Sequence, residues 1–179
     1  KIENKYGEVI YEAKPKMKKV YDSKDVAILT YMLENAVNYG TGQSAKVFKD
    51  GKLIPMAGKT GTTSDYVSAW FTGYTPTLAT VVYVGNDDNK SMGPGMTGGA
   101  AAAPIWKNYM QAVVDLPNYN VGVFEFIDDY ITRKDLTTRD IDLQIGLLDR
   151  DGVNKRTALF KAGTEPIEYE GKFRRGVTF

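Results

Sequence analysis

Apolar residues recur along this chain with two different periods, and the changes of period mark its elements. Residues 2–6 and 8–12 alternate apolar and polar positions about Tyr6-Gly7, the pattern of a β-hairpin. Lys14 to Lys19 is a basic, proline-containing stretch that reads as a solvated connector. From Asp22 the period lengthens. Val26, Leu29, Leu33, Ala36 and Val37 recur at helical spacing, with Ile28 and Met32 widening the stripe, which predicts an amphipathic helix that packs this stripe into the core. Asp22 and Ser23 offer N-cap oxygens at its start, and Gly40 sits where a left-handed residue ends a helix.

The loop Thr41-Gly42-Gln43-Ser44 leads into strands predicted at about 54–62, 66–74 and 78–86. Short turns at Thr63 to Asp65 and Thr75-Pro76-Thr77 join them, so neighbours run antiparallel. Trp70, Phe71 and Tyr74, then Thr80-Val81-Val82-Tyr83-Val84, have the β-branched and aromatic density of central strands. After Asn86-Asp87-Asp88-Asn89 and a glycine-rich loop from Gly93 to Gly99, a second helix is predicted over about 100–115. Ile105, Tyr109, Ala112 and Val113 share one face of it, and Pro104 is accommodated in its first turn. Beyond Pro117 the periodicity fades. Residues 119–179 are charge-rich and punctuated by Gly152, Gly163, Pro166 and Gly171. The expected class is α+β, an antiparallel sheet with the first hairpin at one end and helices packed on it.

Composition narrows the chemistry more than the fold. Of 179 residues, 42% are hydrophobic and 25% charged, ordinary for a globular chain able to bury a core. The net charge of +1 comes from basic and acidic residues interleaved along the chain, which speaks against a nucleic-acid partner. The longest apolar run, Ala79 to Val84, is broken by Thr80 and falls well short of the roughly 20 residues that cross a bilayer. The chain opens in a strand-like pattern at Lys1-Ile2-Glu3, without a signal peptide, and reads as a piece of something longer. It contains no His and no Cys, which removes Ser-His-Asp and Cys-His catalysis, the usual zinc sites and disulfides. A nucleophile here is Ser, Thr or Lys, a proton carrier is Lys, Tyr or a carboxylate, and no cofactor is expected. Absence of cysteine is compatible with an extracytoplasmic home.

The outstanding segment is Ala57-Gly58-Lys59-Thr60-Gly61-Thr62-Thr63. A phosphate-binding loop would need a glycine at position 53, which is Leu, and a helix afterwards where the pattern is strand-like. Read instead as a strand bordering a site, Lys59 projects a cation, Thr60 and Thr62 offer hydroxyls on one face, and Gly61 allows close approach. Such an edge suits an extended, anionic peptide; a surface strand with a merely solvated lysine has the same three letters. Asn86-Asp87-Asp88-Asn89 and Asp149-Arg150-Asp151-Gly152 lack the remaining ligand spacing of a calcium loop and read as turns. Tyr119 and Tyr130 offer a carbohydrate- or protein-binding surface as one reading of the tail.

Context singles out the lysine segment. Lys59-Thr60-Gly61-Thr62-Thr63, then Ser64-Asp65-Tyr66 and Ala69-Trp70-Phe71-Thr72-Gly73-Tyr74-Thr75-Pro76, resemble the third motif region of class A penicillin-binding proteins. So do Met32-Leu33-Glu34-Asn35-Ala36-Val37 and Gly40-Thr41-Gly42 upstream, and Val84-Gly85-Asn86-Asp87, Thr97-Gly98-Gly99 and Ala103-Pro104-Ile105-Trp106 downstream. Phe160-Lys161-Ala162-Gly163-Thr164-Glu165-Pro166 resembles the family's closing motif. The family often has Asp before its Ala-Trp-Phe; here the residue is Ser68.

The resemblance implies part of the penicillin-binding and serine β-lactamase-like transpeptidase fold, with residues 1–118 the C-terminal portion of a transpeptidase domain and 119–179 an extension. It implies that Lys59 supplies positive charge beside the substrate carboxylate, that Thr60 and Thr62 help to hold that carboxylate, and that the Thr62 N–H forms half of an oxyanion hole. Gly61 lies between them in the substrate-binding strand. The family's Ser-x-x-Lys and Ser-x-Asn motifs are missing: none of the serines at 23, 44, 64, 68 and 91 has lysine three positions later or asparagine two positions later. The chain is therefore expected to carry one wall of the site and to be inactive alone. The complete protein is expected to be a membrane-anchored, extracytoplasmic enzyme with a glycosyltransferase domain, acting on peptidoglycan stem peptides and binding β-lactams. A non-catalytic cell-wall-binding module and a serine β-lactamase are the competing readings, although the family-like segments beyond residue 90 speak against the latter. Loss of packing partners on the first helix and the lysine strand is expected to leave an apolar patch or open edge and to promote self-association.

Overall fold

The computed structural model describes residues 1–14, 16, 18–150 and 152–169. Pro15 and Met17 of the expected connector, Asp151 of the second Asp-rich turn, and 170–179 with Gly171 lie outside the described residues. An antiparallel sheet of three strands, β5 (Ala57–Thr62), β6 (Ser68–Tyr74) and β7 (Ala79–Gly85), forms the centre in that order. Its register is unbroken, from Ala57 opposite Tyr74 to Thr62 opposite Ala69, and from Ser68 opposite Gly85 to Tyr74 opposite Ala79. Helices pack on it, so the α+β reading stands. The hairpin of β1 (Ile2–Glu3) and β2 (Val9–Tyr11) is present but forms a sheet of its own rather than one end of the central sheet. Its strand residues are all exposed, Ile2, Val9, Ile10 and Tyr11 among them, so none of them is buried in the core.

The core is set by glycines. Gly58 and Gly73 lie opposite each other, and a Cβ at Gly73 would sit 2.8 Å from both Phe71 and Trp106. The space they leave is filled by Phe71 and by Trp106 of α2 (Ala103–Val114), whose rings meet edge-on with centroids 5.2 Å apart. The indole N–H of Trp106 donates to the Thr80 carbonyl at 3.1 Å, satisfying the one polar atom the ring brings inside. α2 is preceded by a π-helical turn, Gly98–Ala102, and its second residue is Pro104, where the missing N–H costs nothing. Its buried face is Ala103, Trp106, Met110 and Val114 rather than the stripe through Ile105 and Tyr109, which are 50% and 52% exposed. Two apolar stripes run along this helix, and the one with the larger ring turns inward.

α1 (Ser23–Asn38) begins as expected, with the Asp22 carboxylate accepting from the Lys24 N–H at 2.8 Å. Its buried residues are Ala27, Thr30 and Val37, whereas Val26, Leu29 and Met32 are 42%, 54% and 61% exposed. The expected core stripe is thus turned partly to solvent. Small residues decide this: Ala27 packs close to Ala57 in one cluster, and the Thr30 and Tyr74 hydroxyls share a hydrogen bond of 2.9 Å.

A further hairpin, β3 (Phe48–Lys49) and β4 (Lys52–Leu53), precedes β5, which therefore starts at Ala57 rather than near 54. Asp50 and Gly51 at its tip both have positive φ, 51° and 74°, as a type I′ turn requires. β7, expected to be central, is an edge strand among the described residues. Val82 and Val84 pack on the core while Val81 and Tyr83 are exposed, so apolar residues on both faces mimic a central strand.

After residue 118 the chain forms α3 (Glu125–Thr132) and the hairpin of β8 (Leu136–Asp142) and β9 (Lys155–Lys161). Phe124, Ile127, Leu136 and Leu159 form one buried cluster with Ala27 and Ala57. Each element contributes only one or two core residues, which is why no periodic stripe announced them. Tyr119 and Tyr130 are half-buried in this packing, and the Tyr119 hydroxyl bonds Thr75 at 2.8 Å.

Trp106→Ala is expected to lower unfolding stability by about 3–5 kcal/mol, and Gly73→Ala by about 1–3 kcal/mol through overpacking, both read by urea denaturation; changes within about 0.5 kcal/mol would contradict this core. Glu34 on α1 is half-buried, and burial, then the nearby Asp128, push its carboxyl from 4.5 up to about 7. The folded state holds that proton more tightly than the unfolded chain, so this group makes stability fall as pH rises from 4.5 to about 7. Glu34→Gln is expected to melt above the parent at pH 8 with the difference closing towards pH 4; a pH-independent difference overturns the assignment.

Candidate active site

β5 lies at the edge of the sheet, and its residues change character along its length. Ala57 and Gly58 are buried, Lys59 is exposed, and Thr60 and Gly61 are half-buried. The Thr63 N–H donates to the Ser68 carbonyl at 3.0 Å where the strand turns into β6. In an antiparallel pair the inward- and outward-facing main-chain groups alternate, so those of Thr60 and Thr62 face away from β6, towards the side where no strand pairs among the described residues.

The side chains converge on the same margin. The Lys59 ammonium donates to the Thr60 carbonyl at 3.1 Å and to the Thr60 hydroxyl at 3.4 Å, so its stem curls over the strand edge. The Thr60 hydroxyl shares a hydrogen bond of 2.6 Å with the Thr41 hydroxyl, from the loop after α1. The Thr62 hydroxyl accepts from the Gly98 N–H at 2.9 Å. Thr60 and Thr62 thus lie on one face, as alternation demands, and each is held by a loop that precedes a helix or follows one. Gly98 has no room for a side chain, because a Cβ there would overlap the carbonyl oxygens of Trp70 and Gly61. A Cβ on Gly99 would stand 2.7 Å from the Thr41 carbonyl.

The structure therefore brings Lys59, Thr60, Gly61 and Thr62 together and adds Thr41, Gly98 and Gly99. Sequence reasoning placed Thr41 only in a loop. Nothing in local spacing connects it with Thr60; the only signal was the family-like Gly40-Thr41-Gly42. The helix-to-strand geometry that makes this contact is tertiary.

Three serines are engaged elsewhere. Ser44 Oγ donates to the Gly99 carbonyl at 2.5 Å, Ser91 Oγ to the Asp65 carbonyl at 2.5 Å, and Ser68 is buried with its hydroxyl 3.4 Å from that of Thr63. The Ser68 N–H also donates to the Thr63 hydroxyl at 2.8 Å, so this residue closes the β5–β6 turn as a neutral hydrogen-bonding group. The segment Asn86 to Asn89 is a turn, closed by the Asn89 N–H on the Asn86 carbonyl at 3.0 Å. Among the described residues no cluster of acidic side chains is arranged to hold a metal ion. What the β5 margin offers is a cation, two ordered hydroxyls and outward main-chain groups, the equipment for holding an extended, anionic ligand.

Residues 1–111 match the family model described as the penicillin binding protein transpeptidase domain. Penicillin-binding protein 1A of Aquifex aeolicus is 36% identical over 148 residues, which cover 78% of this chain and 19% of that protein. Penicillin-binding protein 1A of Pseudomonas aeruginosa is 37% identical over 105 residues, covering 58% of this chain and 12% of that protein. The crystal structure of penicillin-binding protein 1A from Haemophilus influenzae matches with a TM-score of 0.58 at 28% identity, over 84% of this chain and 22% of that one. The chain spans about a fifth or less of the length of these relatives.

Proposed function

The chain belongs to the penicillin-binding protein transpeptidase family, and on that premise we propose that it forms the lysine-bearing wall of the active site of a serine-type D,D-transpeptidase. The observation that carries this reading is the Lys59 ammonium held against Thr60 on the outward margin of β5. In the proposed reaction a serine of an upstream Ser-x-x-Lys motif attacks the carbonyl of a D-alanyl-D-alanine stem peptide. The last D-alanine leaves, and the acyl group passes to an amine of a neighbouring strand. A β-lactam mimics the donor and stops at the acyl-enzyme.

Each residue has a separate part in this. An extended peptide lying along β5 pairs with its outward main-chain groups, which sets register. Lys59 and the hydroxyls of Thr60 and Thr62 hold the terminal carboxylate, and the Thr62 N–H takes the charge that grows on the attacked carbonyl. Loss of one such donor typically costs about 10²–10³ in rate. None of the chain's serines is followed by the family's lysine or asparagine spacing, so the nucleophile is assigned to the remainder of the complete protein.

That complete protein is proposed to be anchored in the membrane, to work at its extracytoplasmic face on peptidoglycan, and to carry a glycosyltransferase domain. No described helix here is long and apolar enough to cross a membrane. A non-catalytic cell-wall-binding module is the second reading; a complete protein without a Ser-x-x-Lys motif would favour it.

Intact-mass analysis after penicillin treatment decides between them. A covalent adduct is expected on the complete protein and not on this chain; absence from a folded complete protein selects the binding module. In that protein Lys59→Ala is expected to slow acylation by about 10²-fold or more, and unchanged acylation would refute the role of Lys59.

The isolated chain is also proposed to self-associate. Val26, Leu29 and Met32 on α1 and Trp70, Val81 and Tyr83 on the sheet are exposed, and β7 has no charged residue to discourage pairing along its outer edge. Light scattering at tens of micromolar is expected to report a dimer or larger species; a monomer overturns this.

A further inference from the structure

Three contacts tie β9 to α1 along nearly the whole helix. At the first turn Lys161 pairs with Asp25 at 2.6 Å. In the middle the Tyr31 hydroxyl donates to the Thr157 carbonyl at 3.1 Å. At the C-cap the Arg156 guanidinium stands 3.9 Å from the centroid of the Tyr39 ring. The lengths agree: Asp25 to Tyr39 spans about 21 Å of helix, and Lys161 to Arg156 about 17 Å of strand. Between these contacts Leu159 and Leu136 are buried with Ala27 and with Ala57, the first residue of β5.

The C-terminal contact is the one nearest the site. α1 has no basic residue in its own last turn; the Lys46 ammonium donates to the Asn38 carbonyl at 2.8 Å, and Arg156 brings a second cation to this end of the helix, against the Tyr39 ring. Little slack separates Tyr39 from the site. A Cβ at Gly40 would stand 2.9 Å from the Ala36 carbonyl, and the Gly42 N–H donates to that same carbonyl at 3.0 Å. Thr41 lies between them, with its hydroxyl 2.6 Å from that of Thr60.

We propose that the β8–β9 hairpin is a brace that positions the Lys59 strand, acting through Arg156 on Tyr39 and then through Thr41 on Thr60. Arg156 and Thr41 are positioning residues, and the C-terminal extension is thereby part of the site's support. Its bearing on the reaction rests on the reading of Lys59 as a substrate-facing group; the coupling from Arg156 to Thr60 does not.

The test follows the amide resonances of Lys59 to Thr62, and the hydrogen exchange of Gly61, in the full chain. Arg156→Ala is expected to move these resonances and to speed Gly61 exchange about two- to fivefold, the range an exposed cation–π contact supports, while resonances around Trp106 stay in place. Arg156→Lys is expected to restore most of the shift. Tyr39→Leu, which removes the other partner, is expected to reproduce it, so the test stands should Arg156→Ala fold poorly. In a Thr41→Val background Arg156→Ala is expected to add nothing, because both act on one path. Unmoved Thr60 and Gly61 resonances in Arg156→Ala and Tyr39→Leu, or additive effects in the double variant, overturn the proposal. In the complete protein Arg156→Ala is expected to slow β-lactam acylation by the same two- to fivefold. Coupling without slower acylation removes the brace from the reaction, while the Lys59 reading stands or falls on its own adduct.

Discussion

Trp106 lies against Phe71 in the hollow left by Gly58 and Gly73, and the rest of the molecule is arranged around that contact. The two glycines oppose each other in the β5–β6 register, so a slip of one residue would fill the hollow and turn the core residues of β6 outward. With the ring seated, α2 has a single orientation, and the π-helical turn before it must fall across the end of β5. That places the Gly98 N–H on the Thr62 hydroxyl. A packing constraint some distance from Lys59 therefore determines which way the threonines of the site face.

The other side of the site is built from small residues and polar contacts. Ala27 and Thr30 let α1 come close to β5, and the last turn of α1 delivers Thr41 to Thr60. Val26, Leu29 and Met32 on the same helix stay largely in solvent, so on this side burial favours close approach over area. The C-terminal hairpin covers α1 with a few apolar residues and three polar contacts. Each polar contact is individually weak, since ion pairs and cation–π contacts at an exposed surface are worth about 0–1 kcal/mol. Spread along one helix they constrain direction more than they add stability.

Much of this was legible in the chain itself. The Asp22 cap, the antiparallel order of β5, β6 and β7 and the place of Pro104 follow from local chemistry, because each is decided by neighbouring residues. The Asp50-Gly51 hairpin was legible too, since that dipeptide favours positive φ at both positions, yet its flanking strands are only two residues long and show no alternation. The inward faces of α1 and α2 were not legible. Each helix carries two apolar stripes, and periodicity cannot say which of them a partner will cover.

By itself, then, the sequence determined the types of the main elements before residue 118, the motif that marks the family, and the absence of histidine and cysteine chemistry, all of them matters of residue identity and near-neighbour spacing. Tertiary structure alone decided the joining of Thr41 to Thr60, the burial of Trp106 rather than Tyr109, and the docking of residues beyond 118 on α1. Those depend on which surfaces fit together, and residues 19 or 117 positions apart, such as Thr41 and Thr60 or Tyr39 and Arg156, meet only when the pieces between them have packed.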